Sequence, residues 1–126
     1  MKILVVEDQV IESKLAVHVL SAAGHDVTRA EAADEALAAI KADHPTVILM
    51  DLLLPGMDGL TLVRKLKADP ATRDIPIVAI TSHPEKFTMA EVLAAGCDAY
   101  LRKPINTRTL PATLTDVVEN AERTDR

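Results

Sequence analysis

Along this chain the hydrophobic pattern changes period again and again. Short runs of aliphatic and β-branched residues alternate with longer stretches in which apolar residues recur at helical spacing. The first run, Ile3-Leu4-Val5-Val6, is continuously apolar and predicts a strand buried on both faces. Gln9 to Ala23 predicts a helix with Ile11, Leu15, Val19 and Ala22 as its inward stripe and Gly24 as its stop. Asp26 to Ala30 is a more polar strand, suited to a sheet edge. Ala33 to Ala42 is an Ala-rich helix that ends before His44-Pro45.

The second half repeats the pattern. Thr46 to Met50 is an apolar strand that delivers Asp51 at its end. After a loop from Leu52 to Gly56, Gly59 to Lys67 predicts a helix with Leu60, Val63 and Leu66 inward. Ile75 to Ile80 is a strand ending at Thr81-Ser82, and Pro84 to Ala95 the fourth helix. Asp98 to Leu101 is a short last strand before Lys103-Pro104, and Thr107 to about Arg123 the closing helix. Pro111 falls inside that helix and would cost a hydrogen bond, unless the helix starts later or its first turn is distorted. Five strand–helix repeats without a linker or internal repeat predict one α/β domain over residues 1–126. Its core is expected over about residues 2–122, with 123–126 a frayed tail. The sheet is expected to be parallel and doubly wound, with right-handed crossovers.

Composition narrows the function. Apolar residues make up 48% of the chain, and Phe87 and Tyr100 are its only aromatics, so the core must be aliphatic. A formal net charge of −5 argues against direct nucleic-acid binding. The single Cys97 excludes an internal disulfide, suits a reducing cytosol, and reads as a small buried hydrophobe behind Gly96. No apolar run reaches the roughly 18 residues of a membrane span, and the first strand is too short for a signal peptide. A cytoplasmic location is expected.

In an open parallel α/β sheet, reactive groups gather beyond the carboxyl ends of the strands. Glu7 and Asp8 follow the first strand, Asp51 the third, Thr81 the fourth and Lys103 the fifth. Each alone has an ordinary reading. Asp8 could cap the first helix, Asp51 could form a turn, Thr81-Ser82 could cap the fourth helix, and Lys103 could be a surface lysine. Their coincidence on one sheet edge is harder to dismiss. Two strand orders are common in such sheets, the Rossmann type and 2-1-3-4-5. In the second, Asp8 and Asp51 lie on adjacent strands about 4.8 Å apart, while Lys103 must reach across about 10 Å. Carboxylates this close repel unless a cation intervenes, and hard oxygen ligands open to solvent suit Mg²⁺. An amine and a metal together would neutralise an incoming phosphoryl group.

These residues resemble response-regulator receiver domains from the first strand to the last helix. Similar segments are Ile3-Leu4-Val5-Val6-Glu7-Asp8 and the run from Ile48 through Asp51 and Pro55 to Gly59. Ile77-Val78-Ala79-Ile80-Thr81 and the run from Ala95 through Tyr100 to Lys103-Pro104 continue the likeness. The resemblance implies a flavodoxin-like (βα)5 fold with strand order 2-1-3-4-5. It also implies phosphorylation on Asp51 by a histidine kinase or phosphotransfer protein. Asp8, Asp51 and the Leu53 backbone carbonyl would bind Mg²⁺ (or Mn²⁺), with Glu7 reaching it through water. Thr81 and Lys103 would contact the phosphoryl oxygens, Tyr100 would be the aromatic switch, and Lys103-Pro104 a cis peptide. A downstream protein would read the face formed by the fourth helix, fifth strand and fifth helix. Such a domain acts only on its own phosphorylation and dephosphorylation, and is not an enzyme with an external substrate. Glu7 stands where many relatives carry a second aspartate. Leu53 and His83 occupy variable positions beside the site, and an apolar Leu53 cannot orient an attacking water, so slow loss of the phosphoryl group is expected.

A stand-alone receiver is expected, because the chain begins at Met1 and ends in a polar tail; the alternative is a receiver excised from a larger regulator or hybrid kinase. A Mg²⁺-dependent phosphatase resembling the haloacid dehalogenases would need an acid two residues after its nucleophile, where this chain has Leu53. A flavodoxin-like electron carrier would need a hydroxyl- or glycine-rich phosphate loop where this chain has Glu7-Asp8-Gln9.

Overall fold

A computed structural model describes residues 1–124, with side chains through residue 122. The elements run β1 (Lys2–Val6), α1 (Val10–Ala22), β2 (Asp26–Ala30), α2 (Ala33–Ala42), β3 (Val47–Asp51) and α3 (Gly59–Ala68). They continue with β4 (Ile77–Thr81), α4 (Met89–Ala94), β5 (Ala99–Arg102) and α5 (Leu110–Thr124). Asp125 and Arg126, at the end of the expected tail, lie outside the described residues.

All neighbouring strands are parallel, in the order β2-β1-β3-β4-β5, which is the flavodoxin-like arrangement. The continuous apolar runs follow from that burial. Strand side chains alternate between the two sheet faces, and both faces are covered here. Leu4, Val6, Ile48, Met50, Ile77 and Ala79 pack on one side with Ala36, Ile40, Val63, Leu66 and Val92. Ile3, Val5, Val47, Leu49, Val78 and Ile80 pack on the other with Ala16, Leu20, Leu110, Leu114 and Val118. The polar strand β2 is an edge, as its composition predicts.

Three expectations need correction. In α1 the buried residues are Ser13, Ala16 and Leu20, whereas Ile11 and Leu15 are 83% and 44% exposed, Val19 is half-buried and Ala22 is exposed. The helix lies against the sheet and α5, so small side chains occupy its close face and the large aliphatics turn outward. The fourth helix begins at Met89 rather than Pro84. The amides of Lys86 and Phe87 close a turn onto the His83 carbonyl, and the Phe87 carbonyl accepts from the Tyr100 hydroxyl at 2.7 Å. Thr88 then caps the helix, its Oγ1 accepting from the Glu91 amide. Finally, α5 begins at Leu110, so Pro111 sits in its first turn, where a missing N–H costs nothing. The remaining strand boundaries shift by one or two residues.

Asp51 is set in place by a crowded crossing behind it. The Gly59 amide donates to the Leu52 carbonyl at 2.7 Å. A Cβ on Gly59 would meet the Leu52 Cα at 2.5 Å and the Asp51 carbonyl oxygen at 2.8 Å. Both obstacles are backbone, so neither can swing away. Gly59→Ala is expected to destabilise the protein by about 1–3 kcal/mol, as overpacking of a tight contact does. Guanidinium denaturation would check this; an unchanged midpoint would show that the loop yields freely.

Candidate phosphoacceptor site at the carboxyl edge of the sheet

Parallel pairing aligns the strand ends, so residues far apart in sequence meet on one edge. The Glu7 amide extends the β1–β2 ladder by donating to the Ala30 carbonyl at 2.9 Å, which leaves the Glu7 side chain over the middle of the edge. Asp51 closes β3, and the next amide, of Leu52, donates to the Ile80 carbonyl. Thr81 closes β4 and is fully buried. The Lys103 amide donates to the Thr81 carbonyl at 2.9 Å, and Lys103-Pro104 is a cis peptide. From that position the lysine stem crosses the sheet edge.

That stem spans the gap from β5 to β3. Lys103 Nζ donates to Asp51 Oδ2 at 3.1 Å, to Glu7 Oε1 at 2.9 Å and to Glu12 Oε2 at 2.5 Å. Asp51 Oδ1 accepts from the Leu53 amide at 3.0 Å, which fixes the carboxylate plane. Thr81 Oγ1 accepts from the His83 amide at 2.9 Å, so its O–H remains free to donate elsewhere. Tyr100 is half-buried against the apolar core on the α4 side.

The charge balance is unfavourable without a further cation. Glu7, Asp8 and Asp51 each offer an oxygen within 4.8 Å of the others, and Glu7 Oε2 is buried with no hydrogen-bond partner. Burial first, then the neighbouring Asp51 and Glu12 carboxylates, push the Glu7 carboxyl up to about 9, against the pull of Lys103. The neighbouring Glu7 side chain first, and then the bond from Lys103, hold Glu12 below the usual carboxylate range. Burial alone would lower the Lys103 ammonium, but Glu12, Glu7 and Asp51 outweigh it and raise it. An orphaned oxygen within a cluster of hard donors fits a divalent cation such as Mg²⁺.

Most of this edge was foreseen from strand ends, but Glu12 was not. It lies four residues after Asp8 and so returns to the same side of α1 one turn later, a spacing visible in the chain. The inward stripe expected for α1 ran through Ile11 and Leu15 and did not include it. The edge is open to solvent beside Val10 and Ile11, and a shallow groove runs along Asp8, Gln9, Val10, Ile11 and Glu12. Cys97 lies elsewhere, buried, with burial first and then Asp98 pushing its thiol up to about 12, which fits a packing role.

Fold and edge together define the class of protein: the chain belongs to the response regulator receiver domain family, whose pattern matches residues 3–115. It is thus a receiver of two-component signalling. Among curated relatives, it is 36% identical over 104 residues to the polar-differentiation response regulator DivK of Brucella ovis, covering 82% of this chain and 85% of DivK. It is 41% identical over 105 residues to the response regulator PleD of Caulobacter vibrioides, covering 83% of this chain but 23% of PleD. Among solved structures, a putative response regulator from Chloroflexus aurantiacus superposes with a TM-score of 0.88 at 30% identity, covering 94% of this chain and 97% of that one. A CheY-like receiver from Methanospirillum hungatei gives 0.88 at 28% identity, covering 98% and 97%.

The Glu7 shift gives a pH signature. Its ordinary value is 4.5, so a folded value near 9 means that native Glu7 keeps a proton the unfolded chain loses. The stabilising contribution is complete below pH 4.5 and disappears as pH rises through about 9. Glu7→Gln fixes the neutral form. In chelator, the wild-type denaturation midpoint is expected to fall from about pH 6 to about pH 9 more steeply than that of Glu7→Gln. Parallel slopes would refute a neutral Glu7.

Proposed function

We propose that Asp51 accepts a phosphoryl group from a phosphohistidine on a histidine kinase or phosphotransfer protein, within a single receiver domain spanning about residues 2–122. The observation that carries this reading is the Lys103 bridge: a buried ammonium held 3.1 Å from a buried acceptor carboxylate, at an edge open enough for a protein donor. An oxygen of Asp51 attacks phosphorus, the P–O bond forms as the P–N bond breaks, and the imidazole nitrogen leaves and takes up a proton. Lys103 draws off charge from the transferred oxygens, and the Thr81 O–H donates to one of them. Asp8, Asp51, the Leu53 carbonyl and, through water, Glu7 are the proposed ligands of Mg²⁺, or Mn²⁺. When bound, the ion supplies positive charge against which the phosphoryl oxygens are neutralised.

The acyl phosphate adds roughly −1.5 to −2 charge at the edge. Thr81 moves toward it, and Tyr100, which ties β5 to the entry of α4 through the Phe87 carbonyl, follows into the vacated space. Exposed Met89 (55%) and Leu93 (44%) on α4 supply apolar surface for a downstream protein on the α4-β5-α5 face. The phosphatase alternative draws no support, since Leu53 stands at the position that would need an acid. Among the described residues no helix is long and apolar enough to cross a membrane, and a cytoplasmic site of action fits the proposed donor.

Labelling by phosphoramidate with Mg²⁺ is expected to be hydroxylamine-sensitive, to disappear in chelator, and to disappear in Asp51→Asn. Persistent label in Asp51→Asn would put the phosphoryl group elsewhere. The second expectation concerns its lifetime. Leu53 is 39% exposed beside the site and cannot orient water, so the isolated phosphoprotein should last well beyond seconds. A decay time of seconds, followed by loss of radiolabel, would contradict this.

A further inference from the structure

Phosphotransfer chemistry assigns Glu12 no task, yet it makes the shortest contact in the cluster, 2.5 Å to Lys103 Nζ. An ammonium has three N–H donors. Here Glu7, Glu12 and Asp51 take one each, so Lys103 is saturated. A phosphoryl oxygen can reach it only if one of the three carboxylates lets go. The side chains of Glu7 and Asp51 are 1% and 4% exposed, whereas that of Glu12 is 44% exposed. Releasing Asp51 strands an unpaired buried charge, and releasing Glu7 orphans a second buried oxygen of a side chain whose Oε2 already lacks a partner, while exposed Glu12 exchanges its bond for water at small cost. Glu12 is therefore the contact that opens. The Glu12 side chain already reaches solvent while it holds Lys103, so it can let go without unpacking a buried side chain.

We propose that Glu12 is a latch: in the unphosphorylated protein it occupies the Lys103 donor that the phosphoryl group needs, and so sets the affinity of the Asp51 site for phosphoryl-like anions. Glu12 acts through Lys103 and touches no reacting atom, which makes it a positioning residue. The proposal rests on Asp51 being the acceptor.

Three substitutions separate the latch from a general field effect. Glu12→Ala removes charge and contact, Glu12→Gln removes charge but keeps length, and Glu12→Asp keeps the charge but withdraws it by one methylene. Each would be compared with wild type for beryllofluoride affinity in Mg²⁺ and for the rate of labelling by phosphoramidate, with thermal melts confirming folding. A latch predicts roughly twofold to fivefold gains in both for Glu12→Ala and Glu12→Gln. It also predicts a gain for Glu12→Asp, and no gain from any of them in a Lys103→Ala background. Unchanged or weaker binding in Glu12→Ala would overturn it. So would a Glu12→Asp variant indistinguishable from wild type, because that would leave only charge, or gains that persist without Lys103. If wild type itself takes neither beryllofluoride nor label, the acceptor reading has failed. If wild type labels at Asp51 and the Glu12 variants do not differ from it, only the latch has failed.

Discussion

Carboxylates brought within a few ångströms repel one another, and burial strengthens that repulsion because less water screens it. Glu7 and Asp51 are almost fully buried at the end of the sheet, with Asp8 beside them. A single ammonium answers them. Lys103 begins on the far side of β4, crosses to Asp51 and Glu7, and is clamped from α1 by Glu12. Its backbone is fixed by the Thr81 carbonyl, so β4, β5 and Asp51 form one hydrogen-bonded unit.

The rest of the fold can be understood as support for that juxtaposition. Parallel pairing in the order β2-β1-β3-β4-β5 puts β3 at the centre, so Asp51 has a strand on each side and helices above and below. Gly59 lets the loop after Asp51 fold back so closely that no side chain fits behind Asp51. Burial and the neighbouring acids favour the neutral form of Glu7, and Lys103 spends all three of its donors on carboxyl groups, which together let the edge hold its excess of acids. A site built for charge is thus held in an arrangement that is costly at rest, as is common where function and stability compete.

The order of elements and the edge residues were legible in the chain because strand ends are marked by abrupt changes from apolar runs to Glu7, Asp51, Thr81 and Lys103. The errors have a common physical source. Periodicity in α1 pointed to Ile11 and Leu15, but the face that packs is chosen by how closely a helix can approach, and Ser13 and Ala16 approach more closely. The start of α4 depended on a bond from Tyr100 to the Phe87 carbonyl, a tertiary contact invisible to local pattern. Glu12 lies one turn after Asp8, but the partner that gives it a place at the site, Lys103, is 91 residues away.

The central claim is that this clustered edge directs phosphoryl transfer to Asp51 and to no other acid. Borohydride reduction of freshly phosphorylated protein converts an aspartyl phosphate to homoserine, and peptide mass mapping then reports its position. Homoserine is expected at residue 51 alone, in the segment that follows Ile48-Leu49-Met50. Homoserine at residue 8, or a reduced protein with residue 51 still aspartate, would contradict it.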